Sequence, residues 1–330
     1  MIVRPEDSSI IEGSYTNGSA GIAGRTAFLA RPTRVGCIVR NYGGDGVSDV
    51  KLDYEVPGSD LADYITLFYL FEADVPVFED TERADHAQIR FRLNAREAEY
   101  RFPDGSVQRA SGVHIVGPTT GAVQVRAEGP VRVFGAGITP CGWSALVGAE
   151  ASAMINRVFD ASELFGDQLA GAVERLAAAT EIAAMVPVAS ALLRQLIGDH
   201  ERDAIAFVRE VDGWLASSDS PDIDALAAAT GLSRRQVERK CNALYGAPPK
   251  LLARKYRALR AAVLLASGHA TLDDVIERGF YDQSHLIREI KQFTGLTPRQ
   301  IKADPPLLAR LTIAQRSALG GQVGPLISDT

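Results

Sequence analysis

The last third of this 330-residue chain contains one local pattern twice, and this repetition constrains the fold more than any other feature of the sequence. In its first occurrence, Ala227, Gly231 and Val237 lie four and six residues apart. A small residue suits the crossing of two helices, glycine permits the positive φ of a tight turn, and an apolar residue locks the second helix. Val275 and Gly279 repeat the four-residue spacing. A single match often occurs by chance, but two matches predict a double helix-turn-helix unit.

The first occurrence predicts a helix over residues 222–229, a turn at 230–232 and a second helix over 234–244, with Ser233 as its N-cap. Charged residues on the outward side of the second helix can contact base edges, because arginine can donate two hydrogen bonds to guanine and glutamate can accept one from cytosine. These candidates for DNA contact are Arg234, Arg235, Glu238 and Arg239. The alternative is a charged face that meets only water, but the position directly after the turn favours DNA contact.

A long helix is predicted between the two units, from about Lys250 to Ser267. A helix of this length spans ~27 Å, which roughly fits the ~34 Å between successive major-groove faces on one side of B-DNA. One chain could therefore place two recognition helices in adjacent groove segments. Arg257 could brace the two halves through an internal ion pair. Phosphate contact and simple solvation both remain open for the polar groups in and beside this helix, which are Ser233, Lys250, Arg254 and Lys255.

Basic residues are concentrated in the same segment, although the whole chain carries a formal net charge of −6. Residues 221–303 contain 14 Lys and Arg against 8 Asp and Glu, a net charge of +6. The rest of the chain contains 21 basic and 33 acidic residues, a net charge of −12. A phosphate-binding surface needs such a local excess, because neutralised phosphates release counterions. The charge distribution predicts a basic DNA-binding module attached to an acidic body.

The same segment resembles the AraC/XylS family of bacterial transcription regulators over about 80 residues. The matching positions are Leu226–Ala227, Gly231–Leu232–Ser233, Val237, Arg239, Gly246, Pro249, Arg257, Gly279–Phe280, Gly295 and Thr297–Pro298. The resemblance implies a seven-helix unit that binds a double-stranded DNA operator, and RNA polymerase is a further candidate partner. By position, the second recognition helix would offer Gln283, Ser284, His285, Ile287 and Arg288 to DNA.

The second unit departs from the family pattern. Its first helix, over residues 271–278, is one residue short. Val275 stands where a small alanine is usual, Asp274 where an apolar residue is usual, and Ile290 where the family usually has phenylalanine. We therefore expect the first unit to supply most of the sequence specificity, and the second to make a weaker or purely positioning contact.

Residues 25–143 show the patterns of a β-rich domain. Apolar residues 89, 91 and 93 alternate with Arg90, Arg92 and Asn94, which predicts a half-buried strand. Asp104–Gly105, between two strand-like runs, predicts a hairpin turn. These features predict an antiparallel sandwich or barrel of about six to eight strands. The whole chain is thus expected to be an α+β multidomain protein, with a β-rich domain, a helical connector at 144–216 and an all-α double helix-turn-helix domain at 217–303.

Three stretches of the N-terminal part resemble a subgroup of the sensor-type domains that precede such a DNA-binding unit. They are Val116–Gly117–Pro118, Val133–Phe134–Gly135–Ala136–Gly137–Ile138 and Pro140–Cys141–Gly142–Trp143. The resemblance implies a β-rich domain, and it does not identify a ligand; control by a small-molecule effector is one expectation. The amphipathic stripes of the connector either pack on the chain's own sheet or form a homodimer surface. Residues 1–24 are predicted to be loose, and residues 304–330 to be a partly disordered tail.

Scattered histidines and cysteines argue against a metal site or a disulfide scaffold, because no pair has metal-ligand spacing. No motif for catalysis or for a cofactor rises above chance. No apolar run approaches the ~20 residues of a membrane span, and Met1–Gly13 lacks the order of a signal peptide. We expect a cytoplasmic DNA-binding protein without enzymatic activity. The alternative is a cupin-like enzyme with an appended helix-turn-helix, which would need histidines and carboxylates clustered inside one barrel.

Overall fold

The computed structural model of the chain describes residues 34–41, 48–94, 96–197 and 202–330. The segment 1–24, which we predict to be loose, lies outside the described residues. Two antiparallel sheets come first, and a series of helices follows. This order confirms the predicted fold class of a β-rich domain, a helical connector and an all-α C-terminal unit.

The β-rich domain is a sandwich of two sheets. The larger sheet has the spatial order β1 (Arg34–Asn41), β2 (Ser48–Glu55), β3 (Ile65–Ala73), β10 (Val131–Ile138), β5 (Ala87–Arg92), β8 (Val113–Val116) and β11 (Val158–Asp160). The smaller sheet has the order β4 (Val77–Glu82), β9 (Val123–Glu128), β6 (Ala98–Arg101) and β7 (Val107–Ala110). The sheets pack face to face; the rings of Phe71 and Phe78, for example, lie 4.8 Å apart between their centroids.

Both faces of the larger sheet are buried, because helices cover the side that faces away from the smaller sheet. Ile89 and Phe134 point to that side and pack in one core with Met185 of a covering helix. The prediction of a half-buried strand is therefore wrong in one respect. Arg90 and Arg92, on the other face, are only 6% and 5% exposed and lie inside the sandwich. Alternation of residue types cannot distinguish an arginine that faces solvent from one that is buried with partners.

The hairpin predicted at Asp104–Gly105 is present and joins β6 to β7. Gly105 has a φ of +84°, a backbone conformation that glycine adopts without steric cost. The Asp104 carboxylate accepts a hydrogen bond from the amide of Ser106 at 2.9 Å. The local sequence was sufficient to predict this turn.

The predicted connector contains α1 (Pro140–Leu146), α2 (Ser162–Phe165), α3 (Ala170–Ala178), α4 (Ile182–Ile197) and α5 (Arg202–Ser217). Helices α1, α3 and α4 bury Trp143, Leu176 and Leu193 in the core outside the larger sheet, as one of the two alternatives for this segment expects. Strand β11 also lies in the segment, so the sheet continues to Asp160. Helix α5 instead packs with the C-terminal unit through Val211. A dimer surface here stays a prediction.

The C-terminal unit contains α6 (Ile223–Thr230), α7 (Arg234–Tyr245), α8 (Pro249–Ala266), α9 (Leu272–Glu277), α10 (Gln283–Thr294) and α11 (Pro298–Ala303). With α5 they make seven helices. Proline at the first position of α8 suits a helix start, because its missing N–H has no intrahelical partner there. Helix α8 has the 18 residues predicted for it and begins one residue earlier.

The C-terminal tail is folded, and the prediction of partial disorder is wrong for it. Helices α12 (Leu307–Ala318) and α13 (Pro325–Ser328) fold back onto the β-rich domain. Leu311 is 1% exposed and belongs to the core between the sheets. The amide of Leu308 donates to the carboxylate of Asp80 at 3.0 Å, and Gln315 donates to the carbonyl of Leu52. These contacts join residues more than 200 positions apart, so no local pattern could reveal them.

Candidate nucleic-acid interface

The first helix-turn-helix has the geometry that its sequence predicts. Asp222 caps α6 by accepting a hydrogen bond from the amide of Asp224 at 3.1 Å, and Gly231 ends the helix with a φ of +65°. Leu226 and Val237 are 1% and 0% exposed and pack in the core that α6 and α7 share. Packing at this density fixes the angle at which α7 leaves the turn.

Helix α7 begins with a capping box. The Ser233 hydroxyl accepts a hydrogen bond from the amide of Gln236 at 3.4 Å, and the Gln236 side chain accepts one from the amide of Ser233 at 2.9 Å. These bonds satisfy amides that have no partner within the first turn. The N-cap role predicted for Ser233 is confirmed, whereas its contact with a phosphate stays a prediction.

The charged side chains at the start of α7 are exposed, but one of them is engaged. Arg234 forms a bidentate ion pair with Asp224 of α6. This hydrogen-bonded pair raises the pKa of Arg234 and lowers the pKa of Asp224. Because an exposed pair contributes little free energy, Arg234 can exchange this partner for another at small cost. The remaining exposed candidates are Arg235, Glu238 and Arg239.

The second helix-turn-helix is irregular for a reason that the structure shows. Thr271 caps the six-residue helix α9, and Asp274 completes a capping box by accepting from the Thr271 amide at 2.8 Å. This role explains a carboxylate where the family usually has an apolar residue. Val275 is fully buried. Gly279 has a φ of +108°, and a Cβ there would lie 2.4 Å from the Ser220 hydroxyl, so the turn requires glycine.

Helix α10 presents a polar first turn. Asp282 caps it by accepting from the amide of His285 at 2.7 Å. His285 is half-buried: its Nδ1 accepts from the amide of Tyr281 at 3.1 Å, and its Nε2 lies 3.8 Å from Glu289. These internal contacts make His285 less available to DNA than predicted. The exposed predicted contacts on this helix are Gln283, Ser284 and Arg288.

Tyr281 is a candidate contact that the sequence reasoning missed. It is 91% exposed, immediately before the cap of α10. Its neighbour Phe280 is 6% exposed, so the turn buries one aromatic ring and leaves the next in solvent. The adjacent aromatic residues before a predicted helix cap were the available signal. An exposed phenol beside a recognition helix can stack on a base or donate to a phosphate.

Two of the four predicted phosphate contacts have partners inside the protein. Lys255 is 6% exposed, and its ammonium group donates to the carbonyl of Asp85 at 2.8 Å; burial lowers the pKa of Lys255 to about 8. In this arrangement it cannot reach a phosphate, because it faces the β-rich domain. Arg254 forms an ion pair with Glu289, with 2.6 Å between Nη2 and Oε1, and keeps part of its side chain in solvent. Lys250 is exposed.

Arg257 braces α8 against α10, as predicted. Its Nη2 lies 3.8 Å from Oε2 of Glu289, and its guanidinium lies 4.9 Å from the centroid of the Phe280 ring. Glu289 is 4% exposed. One buried carboxylate therefore pairs with two arginines of α8 and holds the second recognition helix on the connecting helix.

The C-terminal ends of both recognition helices pack on the N-terminal part of the chain. At the end of α10, the amide of Ala84 donates to the carbonyl of Phe293 at 2.7 Å, and the amide of Ala122 donates to that of Gln292 at 2.9 Å. Helix α7 packs on the short 3₁₀ helix Ala151–Met154. The exposed polar residues lie toward the opposite ends, so this packing leaves them accessible.

A cavity lies inside the sandwich, and the C-terminal helices close one side of it. It encloses about 1320 Å³, its open mouth included. The strands contribute apolar side chains such as Phe71 and Val133, α8 contributes Leu259, and α12 contributes Ile313. The cavity wall is thus shared by the β-rich domain, the DNA-binding unit and the C-terminal tail.

Polar groups in the cavity wall are mostly satisfied. Arg90 donates to Glu82 at 2.7 Å, to Gln88 at 2.8 Å and to Tyr100 at 3.2 Å. His86 is hydrogen-bonded to the hydroxyl of Tyr256 on α8. Burial lowers the pKa of His86 to about 3, so this imidazole is neutral at pH 7.

Two further properties of the described part of the chain bear on function. Within residues 34–41, 48–94, 96–197 and 202–330, no group of three or more His, Cys, Asp or Glu side chains is placed to hold a metal ion. In the same residues, no helix combines the length and the apolar character of a membrane span. Cys141 and Cys241 are buried free thiols, and burial raises the pKa of each to about 12.

Two protein-family models match the chain. Residues 226–304 match a model described as a helix-turn-helix domain. Residues 55–160 match a model described as a domain of unknown function, DUF6597. The first match covers most of the six helices from α6 to α11, and the second runs from the end of β2 to the end of β11.

A curated relative shares the C-terminal segment. The F1 operon positive regulatory protein of Yersinia pestis is 36% identical over 85 residues, which are 26% of this chain and 28% of that protein. The chain therefore matches little more than a quarter of the length of this relative.

Several solved structures have a similar general arrangement. Apo ToxT from Vibrio cholerae is 10% identical with a TM-score of 0.43, covering 71% of this chain and 95% of that chain. Wild-type ToxT with a bound unsaturated fatty acid is 12% identical with a TM-score of 0.36, covering 70% and 93%. The AraC-like transcriptional activator CuxR is 13% identical with a TM-score of 0.28, covering 64% and 80%. Similarity at this level carries no argument about function.

Proposed function

We propose that this chain, whose C-terminal unit is a helix-turn-helix domain of the AraC/XylS type, is a sequence-specific regulator of transcription. The observation that carries the proposal is the pair of capped recognition helices, α7 and α10, each with exposed polar side chains in its first turns. Rigid helix α8, ~27 Å long, separates them. In such a unit, helix N-termini and their first side chains enter the major groove.

The first recognition helix supplies most of the specificity. Arg235 and Arg239 donate to guanine edges and Glu238 accepts from cytosine, while Ser233 and Lys250 contact phosphates. Arg234 either exchanges Asp224 for DNA or positions α7 through that pair. These assignments rest on exposure and on residue chemistry.

The second recognition helix makes the weaker contact. Gln283, Ser284 and Arg288 face DNA, with Tyr281 beside them as a stacking or phosphate contact. His285 acts mainly within the protein, because both of its ring nitrogens already lie near internal groups. Lys255 makes no DNA contact in this scheme.

The N-terminal part controls the DNA-binding unit. A small-molecule effector in the cavity of the sandwich would act through the shared wall, since α8 and α12 both border that cavity. A homodimer through the N-terminal part and a contact with RNA polymerase belong to the same proposal, as does action in the cytoplasm, where the operator DNA is.

We propose no enzymatic activity. The alternative of a cupin-like enzyme needs histidines and carboxylates that converge in the sandwich. The polar wall of this cavity is instead rich in arginines, including Arg83, Arg90, Arg92 and Arg316, and such a donor set repels a metal cation.

Selection of duplexes from a random pool by the full-length chain tests this function. We expect enrichment of a defined sequence, and an affinity that falls steeply with salt because phosphates are neutralised. On the selected site, Arg235→Ala and Arg239→Ala should each weaken binding by ~1–3 kcal/mol and relax base preference at one position. Arg175→Ala, an exposed arginine on α3, is the control that should change neither.

Two results would overturn parts of the proposal. A pool without any enriched sequence would refute a sequence-specific regulator. Equal weakening by Arg235→Ala on selected and scrambled duplexes would assign that arginine to a phosphate. Binding that is insensitive to salt would contradict the proposed contact surface as a whole.

A further inference from the structure

One end of the cavity holds a cluster of charges that three separate parts of the chain contribute. Arg83 follows β4, Lys255 belongs to α8 and Arg316 belongs to α12, and all three meet at Asp85. Nη2 of Arg316 lies 2.6 Å from Oδ2 of Asp85, and Nη2 of Arg83 lies 3.5 Å from the same oxygen. Lys255 donates to the Asp85 carbonyl at 2.8 Å. We call these four residues the cationic cluster.

Positive charge exceeds negative charge in the cationic cluster. Three cations surround one carboxylate, and no other carboxylate of the described residues forms an ion pair with Arg83 or Arg316. Glu82, which also borders the cavity, pairs with Arg90 instead. Burial, reinforced by the neighbouring cations, lowers the pKa of Arg83 to about 10. Uncompensated positive charge in a site withdrawn from water is unfavourable unless an anion joins it.

The cationic cluster also has unused hydrogen-bond donors. Nε and Nη1 of Arg83 and Nε of Arg316 are buried and have no hydrogen-bond partner among the described residues. Buried polar groups in proteins are nearly always paired. The cluster therefore lacks acceptors as well as negative charge.

The rest of the cavity is apolar. Beyond the arginines, its wall is formed by aliphatic and aromatic side chains of both sheets, by Leu259 and Val263 of α8 and by Leu308 and Ile313 of α12. A ligand that neutralises the cationic cluster would extend its body into this apolar space. Water alone would satisfy the donors but would leave the charge unbalanced.

We infer that the cationic cluster and the apolar space beside it form one binding site for an amphipathic anion, a molecule with a single carboxylate or sulfonate on an apolar body. The anion accepts hydrogen bonds from Arg83 and Arg316 while its body lies between the sheets. Because Arg316 belongs to the folded-back tail and Lys255 to α8, the bound anion links the sandwich, the tail and the DNA-binding unit. This inference rests on the proposed control of the chain by a ligand, and it names the class of that ligand.

A pair of fluorescent probes with the same body tests the site. The anionic probe is 8-anilinonaphthalene-1-sulfonate, and the neutral probe is N-phenyl-1-naphthylamine, which lacks the sulfonate. In titrations of the full chain, we expect the anionic probe to bind at least tenfold more tightly. Arg83→Gln and Arg316→Gln should each weaken the anionic probe about tenfold or more, because each removes a charged hydrogen bond, and should leave the neutral probe within about twofold. Arg299→Gln, an exposed arginine on α11, is the matched control.

Competition on the unmodified chain gives a result that does not depend on the folding of variants. We expect 4-phenylbutanoate to displace the anionic probe and its uncharged amide to displace it at least tenfold less well. Equal displacement by the amide, or equal affinity of the two probes, would overturn the inference. DNA binding without any added ligand is measured in parallel; its loss would refute the regulator function, whereas failure of the probes alone would refute only this site.

Discussion

Replacement of Glu289 by glutamine tests whether a buried ion pair holds the second recognition helix in place. The substitution keeps the shape of the side chain and removes its charge. Glu289 is 4% exposed and accepts hydrogen bonds from Arg254, at 2.6 Å from Nη2 and 3.1 Å from Nε. Arg257 lies 3.8 Å from the second oxygen. Both arginines belong to α8, so the perturbation acts on the contact between α8 and α10.

The expected magnitude follows from the exposure of the two arginines. Removing one partner of a buried pair costs ~3–5 kcal/mol, largely because the other charge is left uncompensated. The side chain of Arg254 is 36% exposed and can regain water, which reduces the cost. The side chain of Arg257 is 12% exposed and cannot do so fully. We expect the free energy of opening of α10 to fall by about 2–3 kcal/mol, equivalent to roughly 30- to 100-fold faster amide exchange.

Hydrogen exchange followed by mass spectrometry measures this change in the helix concerned. Peptides from α8 and α10 should lose protection, while peptides from the larger sheet should keep it. Glu277→Gln removes an exposed carboxylate on α9 and serves as the control. If exchange in α10 rises less than threefold in Glu289→Gln, or rises equally in the control, the ion pair does not hold the helix and the argument is refuted.

Three further predictions concern a buried acid, a helix cap and the tail. Burial raises the pKa of Asp212 to about 6 against a hydrogen bond from Tyr245, so its contribution to the free energy of unfolding falls as pH rises from about 4 to about 6; Asp212→Asn should raise that free energy by roughly 1–3 kcal/mol at pH 7.5 and not at pH 4 in urea unfolding, and an equal gain at both would contradict the assignment. Ser233→Ala should cost ~1 kcal/mol by removing the cap of α7, seen as faster exchange in its first turn but not in α10. Leu311→Ala should cost ~2–5 kcal/mol and expose residues 304–330 to proteolysis; unchanged cleavage would show that the tail does not depend on this core contact.

The DNA-binding unit could be predicted from the sequence because its determinants are local. A glycine at a turn, a serine before a helix and an apolar residue six positions after the small one act within a dozen residues of each other. Gly231, Ser233 and Val237 therefore have the roles assigned to them. Asp274 has a local role too, but as a helix cap it breaks the expected apolar pattern.

The orientation of charged side chains could not be predicted, because it depends on contacts between distant parts of the chain. Lys255 and Arg254 lie on one helix with Lys250, yet only Lys250 is fully exposed. The partners of the other two, Asp85 and Glu289, are 170 and 35 positions away. The same applies to Arg90 and Arg92, which alternation placed in solvent and the second sheet buries.

The cavity and its tail were beyond the reach of local patterns for the same reason. Arg83, Asp85 and Arg316 look like ordinary surface charges in the sequence, and only the return of α12 onto the sandwich joins them. A short apolar stretch at the end of a chain carries no information about the surface that it covers.

The packing of both recognition helices on the N-terminal part has a consequence for evolution of the binding site in DNA. Ala84 and Ala122 hold the end of α10, and residues 151–154 contact α7, so the N-terminal part sets the distance and the rotation between the two helices. Gly295 meets Thr81 so closely that a Cβ would lie 2.5 Å from its methyl carbon. Substitutions at this seam, far from any base, would change which spacing of half-sites the protein accepts. Divergence of the β-rich domain can therefore alter the set of genes under control while every base-contacting residue stays the same.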